Sequence, residues 1–431
     1  MKKLFFTAAF IIALTVGFLS CNNEDSPIES PTNIERPTNK RSFNEALVIA
    51  QNATNMLGDK QSRSSHRTIN RDDAFAICSG SAQSRNSDTL LYIFNYDDNA
   101  GYAIVSASLN TEGLLAVAES GRLDSKEQSE NPGVNMFIDL AKSYVALSDT
   151  GKITVGGKIG GDISTPTMQK EVTDTPYSHI IEPRIKINWG QQGTEGSLFL
   201  NKIAGCATIA ALNAFTYLEM PTSIQLAKLD KSVMDINWQS IKNLTLNPIN
   251  GTPYHTSETS STISRLCREF ALRCGINGEE LPDNQSTPIN PMNMYRVLKE
   301  TLPTAYISNI YSYYEAEHSL PGIEIAFGYY KNSSDVTVGH GWVVDGSQFY
   351  KIRHRRYIKP DTSPHWTLTD EFNRTEEYMH VNWGWHGANN GFYSKGVFDT
   401  SRAKSTDYRF AGNNVRYYNI DIEFFNVSKN N

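Results

Sequence analysis

Cysteine is scarce in this chain, five in 431 residues. No pair has zinc-ligand spacing, and the set does not read as a disulfide framework. Cys267 and Cys274 fall in one helical pattern. Two turns of helix hold them about 10 Å apart, beyond disulfide reach, so they read as packed thiols. An excess of basic residues is also missing. Lys and Arg number 40 against 46 Asp and Glu, a net charge of −6, which leaves no nucleic-acid footprint. No internal repeat is seen, and no cofactor or metal ion is expected. What is present is enough apolar residue, 39% against 20% charged, to bury a sizeable core. The length suits two domains and a leader.

Residues 1–21 read as an export signal. Lys2 and Lys3 precede a nearly apolar run from Leu4 to Leu19, too short to be taken for a membrane span. Ser20-Cys21 resembles a bacterial lipoprotein cleavage box, which would place a lipid on Cys21. Phe18 departs from the Leu usual at its position in that box. The polar residues 22–25 resemble the acidic surface-export signals of Bacteroidetes lipoproteins. The resemblance implies an outer-membrane or cell-surface lipoprotein of a Gram-negative bacterium, held to the membrane through Cys21. Residues 22–40, rich in Pro, Asn, Glu and Thr, read as a flexible tether.

Residues 41–150 read as a small α+β unit. A helical period runs from Phe43 to Met56. Leu90–Phe94 and Tyr102–Ser106 flank the turn residues Asp97–Gly101 as a hairpin. Leu114–Ala118 gives another strand, and Val134–Leu147 returns to helical spacing. Residues 151–178 are rich in Gly, Thr, Ser and Pro, a cleavable linker by composition. From 179 to 431 the composition is globular again.

Four stretches in that second half carry chemistry. Cys206 follows Gly205 and opens a helical run in which Ile209, Leu212 and Phe215 share a face. The unpaired N–H groups and dipole of a helix N-terminus favour a thiolate, so a lowered thiol pKa is expected. Val338–Gly346 reads as a strand that fixes His340, a suitable general base. Tyr378–Trp383 reads as a second strand, with His380 and Asn382 on one face. Asn382 can accept the imidazole N–H without adding charge. Trp383 or Trp385 can cover that bond. Ile187–Gly193 is a loop, and its Gln191 lies upstream of Cys206, where a side-chain N–H can serve an oxyanion beside the Cys206 amide.

In this order the motifs Trp-x-Gln, Gly-Cys-Ala-Thr, Gly-His-Gly-Trp-Val-Val-Asp-Gly and His-Val-Asn-Trp-Gly-Trp resemble the streptopain family (peptidase family C10) of papain-fold cysteine proteases. The likeness spans about residues 179–400. Tyr92–Asn95 and Gly101–Ala107 resemble that family's propeptide. The resemblance implies an α+β papain-like fold, with a helical part bearing the cysteine and an antiparallel sheet bearing His and Asn. Carried over by position, Cys206 matches the nucleophile, His340 the base, Asn382 the orienting residue and Trp383 its cover. Gln191 matches the oxyanion glutamine, with Gln192 as the alternative. Residues 347–378 depart from the family, which joins the two strands by a short turn. They read as a solvated surface hairpin.

The implied function is a secreted cysteine endopeptidase made as a zymogen. It would act on protein or peptide substrates, with its own propeptide as intramolecular inhibitor. A papain-fold amidase acting on cell-wall peptides would use the same residues. A catalytically silent surface adhesin is the remaining alternative, and the intact site motifs count against it.

Overall fold

Ser42 and Glu45 cap each other at the start of the first helix, α1 (Phe43–Ala53). The Ser42 hydroxyl accepts from Glu45 N–H, and the Glu45 carboxylate accepts from Ser42 N–H, two orphan donors satisfied at once. The computed structural model describes residues 39–57, 67–79, 88–125, 129–150, 167–248, 250–276, 289–309, 322–331, 337–360, 364–399, 408–409, 416–417 and 421–430. The expected signal peptide, Cys21, nearly all of the tether and residues 151–166 lie outside the described residues. Among the described residues no helix is long and apolar enough to cross a membrane.

After α1 come strands β1 (Phe75–Cys78), β2 (Thr89–Asn95), β3 (Tyr102–Ser106) and β4 (Leu114–Ala118), then helix α2 (Pro132–Asp149). Asn131 caps α2, and Pro132 occupies its first turn, where no N–H is needed. The expected hairpin, strand and helix are all in place. Cys267 and Cys274 are buried free thiols, as their spacing indicated.

Strand β5 (Thr167–Ile181) follows. A loop leads to α3 (Cys206–Leu218). The helical half continues with β6 (Ser223–Gln225), β7 (Val233–Asp235), α4 (Trp238–Lys242), α5 (Ser257–Arg273) and α6 (Pro291–Thr301). Then come β8 (Ala305–Ile307), β9 (Ile323–Lys331), β10 (Thr337–Pro360), β11 (Thr367–Asn382), β12 (Gly391–Ser394) and α7 (Lys395–Phe398). The short pair β13 (Tyr408–Arg409) and β14 (Arg416–Tyr417) precedes β15 (Asp421–Lys429).

Most strands join one sheet, ordered β1-β2-β3-β4-β12-β11-β10-β9-β15-β8, with β5 beside β10. All its pairings are antiparallel. The α+β class is therefore as expected. What the chain pattern did not disclose is that β4 pairs with β12, so the N-terminal unit extends the sheet of the C-terminal half. One core is shared across that seam: Met136, Phe137 and Val145 of α2 pack with Trp342, Trp383, Tyr393 and Phe424. A second core lies under α3, α5 and α6 against β9, β10 and β15.

Residues 347–378 form the predicted hairpin of β10 and β11. It is three-stranded, because β5 pairs with β10 along the edge that β9 leaves. The composition of residues 151–178 suggested a linker. Its glycines end at Gly161, and from Thr167 the segment is strand.

Candidate active site

Gly205 holds φ at +85° at the N-cap of α3, a conformation that costs other residues strain. The turn delivers Cys206 to the first position of the helix. Its thiol is reached by the N–H groups of Gly341, Ala207 and Cys206 itself, which favour the thiolate. Burial outweighs them and pushes the thiol above its ordinary range. The lowered pKa expected from the helix dipole is thus not observed in this state, because a covered site penalises the charged form.

The Gly341 contact sets strand β10 beside the thiol, and His340 is the next residue on that strand. His340 does not face Cys206. Its Nε2–H donates to the carbonyl oxygen of Trp383 at 3.1 Å. Its ring packs against both Trp342 and Trp383, with centroids 6.4 and 5.9 Å away. Burial pulls its pKa down to about 4, while the Trp383 carbonyl bond works the other way. The ring is neutral. Among the described residues no hydrogen bond joins it to Cys206 or to the Asn382 side chain.

One residue of the N-terminal unit lies against both rings. Gly133, in the first turn of α2, lies so close that a Cβ there would come within 2.4 Å of Trp383 Cε3 and 2.5 Å of His340 Cδ2. Only a bare backbone fits. Asn131 caps the helix through Oδ1, and its buried Nδ2 has no hydrogen-bond acceptor.

Asn382 is buried beside the site, but its amide is engaged elsewhere. Oδ1 accepts from Gly384 N–H at 3.0 Å, and Nδ2 donates to Asn188 Oδ1 at 3.3 Å. Asn188 Oδ1 also accepts from Asn390 Nδ2 at 3.2 Å. Trp383 is fully buried, with its N–H donated to Asn390 Oδ1 at 3.0 Å. Gln191 is buried, and its carbonyl accepts from Ala204 N–H at 2.7 Å. Gln192 is exposed. The loop is tied to the strand turn by His386 N–H to Trp189 O at 3.1 Å. So the structure brings Cys206, His340, Asn382, Trp383 and Gln191 to one place, with the imidazole turned away.

Sequence reasoning missed a charged group one layer below. His380 Nδ1–H donates to the buried carboxylate of Asp345 at 2.6 Å. Glu119, in the residue after β4, stands 3.6 Å from His380 Nε2, an ion-pair distance. Burial alone would lower the His380 pKa, but Asp345 and Glu119 overcome it and raise it to about 9. Asp345 also accepts from Ile185 N–H at 2.7 Å, tying the segment that leads to the Gln191 loop. Only the register of β10 on β11 sets Asp345 against His380. Among the described residues no three His, Cys, Asp or Glu side chains gather as metal ligands.

Residues 189–393 match the peptidase C10 family, and residues 33–145 match the Spi protease inhibitor. No curated protein matches the chain. Among solved structures it is similar to a mutant fragment of Prevotella intermedia prointerpain A, at 15% identity and TM-score 0.45, over 81% of this chain and 98% of that one. It is also similar to active wild-type interpain A cysteine protease of the same organism, at 17% identity and TM-score 0.33, over 57% of this chain and 94% of that one.

Proposed function

This chain belongs to the peptidase C10 family and is a cysteine peptidase with its own inhibitor domain ahead of it, and we propose that it is an exported endopeptidase acting through Cys206 and His340. The observation that carries the mechanism is the Gly341 N–H on the Cys206 thiol, which sets the nucleophile one residue from the imidazole. In the working enzyme His340 takes the thiol proton, and the thiolate attacks the scissile carbonyl carbon. The resulting oxyanion is met by the Cys206 amide and the Gln191 side chain. His340 passes the proton to the leaving amine, and a thioester remains. Water, deprotonated by His340, releases the acid and restores the thiol. Asn382 holds the ring, and Trp383 keeps water from that bond. The burial of Gln191 and exposure of Gln192 support Gln191 as the donor.

The latent geometry supports inhibition by misorientation rather than by blocking alone. With α2 seated, His340 donates to Trp383 O and Asn382 is held by Asn188. Departure of α2 uncovers His340 and frees it to turn toward Cys206 and Asn382.

The order of lipobox, tether, inhibitor domain and peptidase supports a second function for the activating cut. It separates the peptidase from a lipid on Cys21 and moves it from the membrane to the medium.

Labelling of Cys206 by an epoxysuccinyl inhibitor, with casein hydrolysis measured on the same preparation, tests the reading. Labelled enzyme that cleaves peptidoglycan fragments and not casein would favour an amidase. An inert thiol after removal of the N-terminal unit would leave a silent fold.

A further inference from the structure

Beyond Ser347 the β10 edge opposite β11 has no partner from β9, whose pairing stops at Val344. Residues 167–181 fill that edge, from Ser347 opposite Ile181 to Pro360 opposite Thr167. The ladder covers about 40 Å of strand at roughly 3.3 Å per residue. Side chains fix its register. Asp174 stands opposite Arg353 and accepts from its Nε at 3.0 Å and its Nη2 at 2.5 Å. Arg355 Nη2 donates to the same carboxylate at 2.7 Å. The two guanidinium groups hold Asp174 well below the usual carboxylate range. Tyr177 meets the edge of Phe349 at 5.8 Å. The chain after β5 is seated too, with Arg184 N–H on Asp345 O at 3.1 Å.

We propose that this edge of β10 is a permanent seat for the chain's own residues 167–181, so that β5 stays on the peptidase as the third strand of the arm when the inhibitor domain leaves. The inference rests on the zymogen reading only for what is released; the seat itself is a property of the described strands. A protease takes its substrate as a free extended segment, so cutting within β5 needs the strand to peel from the ladder first. Loss of β5 would expose a long unpaired strand edge, an invitation to aggregation. It would also take from Arg353 and Arg355 the Asp174 carboxylate they share. The lone Asp174 pairs are exposed and individually weak; their part is to set which residue of β5 meets which residue of β10.

The test uses the full chain carrying Cys206→Ala, cut lightly with added subtilisin, so that it does not depend on the protein's own activity. Intact mass then gives the start of the C-terminal fragment. The expected fragment begins ahead of Thr167 and persists. A fragment that begins between 168 and 181, or a chain left uncut ahead of Thr167, overturns the proposal. Asp174→Arg should speed cutting within β5 by tenfold or more, and Asp174→Arg with Arg353→Asp should restore protection. Equal rates in all three chains would also overturn it. An inert Cys206 in the wild-type labelling assay would defeat the catalytic reading and leave this result standing.

Discussion

Adding one methyl group at Gly133 should open the zymogen. The Cβ of Gly133→Ala would lie 2.4 Å from Trp383 Cε3, 2.5 Å from Trp383 Cζ3 and 2.5 Å from His340 Cδ2. Ordinary carbon contacts are about 3.5–4 Å, so α2 or both rings must shift by about 1 Å. Both rings are pinned: Trp383 is fully buried against Trp342 and Tyr393, and His340 is held by the Trp383 carbonyl. Overpacking of this kind costs about 1–3 kcal/mol, and replacing a helical glycine by alanine returns up to about 1 kcal/mol. A net cost of about 1–2 kcal/mol falls on the seated state, since the clash vanishes once α2 lifts away. At 1.4 kcal/mol per tenfold, the open population should rise about 5- to 30-fold. The assay is the labelling rate of Cys206 by an epoxysuccinyl inhibitor in the uncut zymogen, followed by intact mass. A labelling rate within twofold of wild type would refute the seating of α2 on His340. So would a rise shared equally by Gly196→Ala, a glycine tight against the Lys202 carbonyl rather than α2.

Cys206→Ala should abolish peptidase activity with the fold intact, and the chain should stay full-length if maturation is self-catalysed; near-wild-type turnover would exclude this nucleophile. His340→Ala should be nearly as damaging, whereas Asn382→Ala should cost on the order of tenfold in turnover, because the ring can still sample the right orientation; the reverse ranking in kcat/KM would break the role assignment. The folded zymogen should be most stable near pH 6.5. The folded His340 pKa of about 4 lies below its ordinary 6.5, so its contribution is present above 6.5 and is lost as pH falls toward 4. The folded His380 pKa of about 9 is raised, so its contribution is full below 6.5 and is lost as pH rises toward 9. Melting curves of Cys206→Ala across that range, compared with an added His380→Gln, should show the alkaline limb flattening in the double variant; identical limbs would deny His380 this part. Cell fractionation with an antibody to the C-terminal half should find the cut peptidase in the medium, and active cut enzyme still on membranes after a high-salt wash would sink the release mechanism.

Local pattern determined much of this protein. The spacing of Ile209, Leu212 and Phe215 behind Gly205 marked α3 and put Cys206 at its start. Alternation placed His340 and Asn382 on strands, and turn residues marked the hairpin of β2 and β3. Each of these signals lies within a few residues of the atoms it orders. Tertiary structure decided the rest, because it depends on which distant groups meet. The pairing of β4 with β12 made one sheet of two domains. The first turn of α2 came to lie against His340 and Trp383, and desolvation of Cys206 raised the pKa of a thiol at a helix start instead of lowering it. Asp345, His380 and Glu119 are scattered in sequence and became one cluster only through strand register. Residues 167–178, linker by composition, became a strand because the edge of β10 was free to take them.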